Sequence, residues 1–173
     1  MPVDRYYLKI SIMNKRQFLR SAAVSVGGFF IFKSAVAQQD KPKPPALAPD
    51  LVKEFVIAGH GNFQKVKDML AQQPGLLNAS WDWSGGDFES AIEGAGHMGN
   101  REIAEYLLAL GARMNVFTAA MLGKIEIVKP TLTAFPNLKT SKGPHGLMLI
   151  HHATKGGEQA KEVLEYLKEI GAS

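Results

Sequence analysis

Five histidines are the side chains of this chain best suited to hold a metal or move a proton near neutral pH. His97 follows Glu93 by four residues, a spacing that puts a carboxylate and an imidazole on one helical face. His152 can approach from another part of the chain, and imidazole with carboxylate is a good ligand set for zinc and other divalent metals. Glu93, His97 and His152 are therefore the candidate metal-binding or hydrolytic triad. Against it, no H-E-x-x-H spacing occurs, and the adjacent His151 and His152 must leave a helix on different sides. Other chemistries lack their motifs. There is no G-x-S-x-G, and "SGG" at 84–86 and "GPHG" at 143–146 lack the lysine and hydroxyl of a phosphate loop, so both read as turns. The chain has no cysteine, which excludes disulfides and thiolate metal sites.

Both tryptophans lie in "SWDWSGGDF", 80–88. Trp81 and Trp83 alternate with Ser80, Asp82 and Ser84, a period of two that suits a short hairpin closed by Gly85-Gly86. The two indoles then share one face. They either cover the end of a core or form an aromatic contact platform for a partner or small ligand.

These residues have to be positioned by something, and the rest of the chain is helical in period. "GNREIAEYLLALGA" at 99–112 returns in large part as "AKEVLEYLKEIGA" at 160–172. In the first copy Ile103, Leu107 and Leu110 share one helical face, Asn100 can cap the start and Gly111 can close the end. The same frame fits Val66, Met69 and Leu70, then Ile127, Val128 and Leu132, and last Val163, Leu167 and Ile170. Each copy follows a short helix of small residues ending in glycine: "EFVIAGHG", "SAIEGAGHMG", "VFTAAMLG" and "LIHHATKGG". Four helix pairs result, each with an apolar face that only another copy can cover. Pro130 falls inside one second helix, where it should bend the helix or loosen its register.

The stretch "SAIEGAGHMGNREIAEYLLALGARMN", 90–115, resembles the ankyrin-repeat unit nearly position by position: T-P-L-H-x-A-A-x-x-G, then I-V-x-x-L-L, then G-A-x-x-N. The resemblance covers about 51–173 and implies an all-α solenoid of about four helix-turn-helix repeats with short finger loops. It puts small residues (Ala95-Gly96, Ala119-Ala120, Ala153) where neighbouring helices approach. It gives His151, and Glu93 at the equivalent place, the role of ordering a turn by hydrogen bonds. It also implies a protein-binding scaffold without catalysis and with no cofactor. The partner would meet Trp81, Asp82, Trp83 and Phe88 on the first finger, His60, His97, Met121 and Lys155 along the groove, and Lys142 and His145 on the last finger. The repeats are irregular, with long connections at 78–90 and 137–148 and almost none between the second and third pairs.

The N-terminal part reads as a leader. Basic "NKRQFLR" at 14–20 precedes the uncharged run "SAAVSVGGFFIF", Lys33, and an A-x-A-like end at Ala35-Val36-Ala37. It resembles a twin-arginine signal peptide with Lys15 in place of the first arginine, so the general secretion route stays open, and Met13 is an alternative start. The expected layout is a signal peptide at 1–37, a proline-rich linker at 38–50 and a repeat domain at 51–173, with Asp50 capping the first helix. The product would be periplasmic, or otherwise exported from a bacterial cell. The leader also carries the positive charge. Six of the 20 basic residues and one of the 16 acids lie in 1–37, leaving 14 bases against 15 acids. A nucleic-acid partner loses its support, no membrane span is expected after signal removal, and the expected product is a monomer that binds another protein.

Overall fold

The computed structural model describes residues 43–172, so the expected leader and the first part of the linker lie outside the described residues. The described residues from 44 onward form one compact unit. It contains eight α-helices in four pairs. These are α1 Pro49–Gly59 with α2 Phe63–Gln72, α3 Ala91–Met98 with α4 Arg101–Ala109, α5 Val116–Met121 with α6 Ile125–Ala134, and α7 Leu149–Lys155 with α8 Lys161–Glu169. No described helix is long and apolar enough to cross a membrane.

Local chemistry sets the helix starts. Asn62 accepts the backbone N–H of Lys65 at 3.0 Å and Asn115 that of Thr118 at 2.9 Å, each capping its helix. At α3, Glu93 reaches back to accept both the N–H (2.8 Å) and the hydroxyl (2.7 Å) of Ser90, the reciprocal arrangement of a capping box. Gly99 ends α3 at φ 82°, a left-handed conformation that glycine adopts without strain. Two expectations shift here. The cap of α1 is Ala48, with Asp50 inside the first turn, and Leu47 packs on the core, so the folded part begins within the expected linker. Asn100 makes no side-chain cap; its amide instead donates to the carbonyl of His60, tying the second pair to the first.

The first helices of the pairs lie side by side through small residues. Ala91, Ala95, Ala119, Ala120 and Ala153 are fully buried, and a Cβ on Gly59 would collide with the backbone of Ala91. One core joins α1–α4 around Phe55, Leu76, Ile92 and Leu107; another joins α5–α8 around Val128, Leu149, Val163 and Leu167. The second helices touch where Phe63 meets Tyr106 edge-on at 5.2 Å. Ile127, expected on the apolar face of α6, is 37% exposed, because Val128 and Leu132 carry that face. The helix runs through Pro130, which is exposed. The stack also departs from a strictly linear one, since α7 packs against α3 as well as α5. His151 Nε2 donates to the carbonyl of His97 at 3.0 Å across that contact.

Candidate metal centre

The expected hairpin forms. Strands β1 Ser80–Asp82 and β2 Phe88–Ser90 are antiparallel, with Ser80 opposite Ser90, Trp81 opposite Glu89 and Asp82 opposite Phe88. Asp82 Oδ1 accepts the N–H groups of Ser84 (3.0 Å) and Gly86 (3.1 Å), which shapes the turn through Gly85 and Gly86. Alternation along β2 leaves Phe88 59% exposed and turns Glu89 fully inward. Trp81 and Trp83 are half-buried against the first core, and Lys53 lies over the Trp81 ring.

Three imidazoles gather around the buried Glu89 carboxylate. His60 follows α1, His97 lies on α3, and His145 sits at the tip of the last finger. From Glu89 Oε1 to His97 Nε2 is 2.8 Å; from Oε2, both His60 Nε2 and His145 Nε2 are at 3.4 Å. His60 Nε2 and His97 Nε2 are 3.1 Å apart. Taking one ligand atom from each of the four residues, all lie within 4.8 Å of one another.

The other ring nitrogens fix the tautomers. His60 Nδ1 lies 3.0 Å from the carbonyl of Val56, an acceptor only, so that nitrogen carries the proton. His145 Nδ1 lies 2.9 Å from Asp87 Oδ2, and Asp87 Oδ1 accepts the backbone N–H of His145 at 2.9 Å. In the neutral rings both Nε2 lone pairs then point at a carboxylate, and either a proton on the rings or a cation among them relieves that repulsion. Backbone carbonyl and carboxylate behind a ligand imidazole are the supports that metal-binding histidines use. His145 has φ 59°, a left-handed conformation costing a bulky residue about 1–3 kcal/mol, and the two bonds from Asp87 hold it there. Gly94 makes room for the His60 ring, since a Cβ there would come within 2.9 Å of Nδ1.

Electrostatics agree with a cation-binding set. Burial pushes the Glu89 carboxyl up, but the imidazole of His97, the indole N–H of Trp83 and the charges of His60 and His97 outweigh it, leaving the group below the usual carboxylate range. Asp87 is also held low, first by the backbone N–H of His145 and then, against a small desolvation cost, by its ring. Glu89 Oε1 is buried and has His97 Nε2 at 2.8 Å.

The triad expected from sequence does not assemble. Glu93 is used up in its capping box and by the Asn115 amide, 2.6 Å from Oε1. His152 is buried beside Phe117, donates Nδ1–H to the Met148 carbonyl at 2.9 Å, and is pushed down to about 4 by desolvation. Only His97 of the three faces the cluster. Among the residues expected to meet a partner, His60, His97 and His145 come together here and Trp83 borders them, its ring 5.7 Å from that of His145. Met121 is fully buried and has no surface to offer, whereas Asp82, Phe88, Lys142 and Lys155 are exposed. Sequence reasoning missed Glu89 and Asp87. The available signal was the inward alternation of β2, which puts the residue after Phe88 on the tryptophan face of the hairpin.

In comparisons with known proteins, no family model and no curated protein matches this chain.

Proposed function

We propose that this protein binds one divalent transition-metal ion, with zinc favoured, through His60, Glu89, His97 and His145. The observation that carries this reading is the convergence of three imidazole Nε2 atoms on a fully buried carboxylate, two of them with Nδ1 held from behind. Zinc bonds of about 2.0–2.1 Å in a tetrahedron separate ligand atoms by about 3.4 Å, close to the 3.4 Å from Glu89 Oε2 to both His60 Nε2 and His145 Nε2 and the 3.1 Å from His60 Nε2 to His97 Nε2. Four protein ligands fill that shell, which suits a protein that holds metal without turning over a substrate. The scaffold is read as an exported, ankyrin-like solenoid whose finger loops deliver ligands to its first helices.

Calorimetric titration of the full chain, stripped with a chelator, tests this. One equivalent of zinc should bind, and His97→Ala should remove it. The reading ends if zinc, cobalt, nickel and copper all fail to bind stoichiometrically.

A second reading, partner binding through the fingers, is favoured by the exposed ring of Phe88 opposite Asp82 and near Lys142. Photo-crosslinking in cells from position 88, with a control at Glu105 on α4, should capture one discrete protein from the finger alone. Equal capture from both positions would sink it.

A further inference from the structure

The last finger, residues 137–148, is built on the second half of the stack, yet its tip ends on the first. Lys139 Nζ donates to the Ile170 carbonyl at 3.2 Å, Lys142 bridges Met148, and Pro144 is buried. Gly143 lies against Phe117 in the first turn of α5, where a Cβ would come within 3.2 Å of the ring. Among the described residues, every hydrogen bond and ion pair between this finger and the hairpin runs through His145, to Asp87 and Glu89. That single link is weak by itself. The Asp87 and His145 side chains are 31% and 33% exposed, where water screens their attraction, and the left-handed backbone at φ 59° opposes it. Glu89 Oε2, 3.4 Å from His145 Nε2, stands beyond a good hydrogen bond. The same spacing suits two ligands of one zinc ion.

We infer that the ion works as a clasp on the last finger. Held by His60, Glu89 and His97 on the first half, it draws in His145 and fixes the finger on the hairpin; without it the finger exchanges between closed and released positions. The closed position offers the ion one ligand more than the released one, and that difference in affinity shifts the population. The cleft walled by Asp87 and Phe88 on one side and by Lys142, Gly143 and Pro144 on the other takes its shape only when the finger is closed. Metal occupancy therefore sets the contact surface around Phe88.

This inference rests on the metal-binding reading, and distances between spin labels separate the two. The chain has no cysteine, so paired cysteines can be introduced and labelled without interference. Lys142→Cys with Glu105→Cys reports the finger against α4, and Glu165→Cys with Glu105→Cys reports α8 against α4; all three positions are exposed. In the zinc-stripped full chain the finger pair should give a broad distribution, which one equivalent of zinc narrows several-fold around one distance. The control pair should be narrow in both states. His145→Gly, which accepts the left-handed backbone but offers no ligand, should keep the finger pair broad with zinc in excess. Equal, narrow finger distances with and without zinc would overturn the clasp and leave metal binding intact. So would narrowing by zinc in His145→Gly, or a control pair that broadens together with the finger, since the ion would then order the whole stack. Failure of the unlabelled wild type to take up zinc in calorimetry would overturn the metal reading, and this inference with it.

Discussion

Asp87 holds His145 twice, one carboxylate oxygen on the backbone N–H and the other on ring Nδ1, each at 2.9 Å. The residues are far apart in the chain, and this pair is what joins the last finger to the hairpin. It keeps an otherwise strained histidine aimed at Glu89. Replacing Asp87 with Asn removes the charge behind the imidazole and one of two acceptors. Zinc affinity should fall about 10- to 100-fold, the usual cost of losing such a support, with the four ligands still present. Competition against a chromophoric chelator measures this, and an unchanged affinity would show that Asp87 does not orient His145.

Gly94 leaves the space that His60 occupies. Gly94→Ala puts a methyl 2.9 Å from Nδ1 of a ring that is bonded to Val56, so the ring must move. Overpacking of this kind costs roughly 1–3 kcal/mol, and here the displaced group is a metal ligand. The variant should melt lower than wild type without metal and also gain less from zinc, as thermal unfolding with and without the ion would reveal.

Because the ligands come from α1, the hairpin, α3 and the last finger, metal binding should stabilise the fold as a whole. An ion that binds only the native state adds about 2.7 kcal/mol at 100 times its dissociation constant. Denaturant titrations at that excess should show the gain in wild type and none in His60→Ala. A gain that survives the substitution would place the ion elsewhere.

His152 makes acid stability a separate matter from metal binding. Its folded value of about 4 lies below the ordinary 6.5, so between those values the unfolded chain takes up a proton that the folded chain refuses. Stability is therefore full above about 6.5 and is lost as pH falls towards 4, by at most roughly 3 kcal/mol. With a chelator present to remove any metal contribution, His152→Leu should flatten this part of the pH profile. A variant as acid-sensitive as wild type would assign the loss to other groups.

Much of the fold is legible from local pattern. The period of Ile103 and Leu107, or of Val163 and Leu167, marks the second helices, and the alanines at 95, 119, 120 and 153 mark where the first helices meet. The hydrogen-bonding role that the repeat resemblance implies for Glu93 is met by a capping box, a local motif spanning a few residues. The hairpin is also legible from the alternating tryptophans and the glycine pair. Ile127 is not, because a short helix with apolar residues at 125, 127 and 128 does not show which of them its rotation will bury. Glu93 with His97 suggested a ligand pair from helical spacing alone, but the cap had already taken the carboxylate.

By itself the sequence determined the four helix pairs, the hairpin and the absence of thiolate chemistry, because each depends on residue type or on contacts a few positions apart. Only the tertiary structure decided that His60, Glu89, His97 and His145 form one cluster. Their distances along the chain carry no period. They meet because α1 and α3 pack through small residues, β2 turns Glu89 inward, and Asp87 pulls the last finger across the hairpin. Such a site is a meeting of side-chain directions, and those are set by packing between elements that no local spacing encodes.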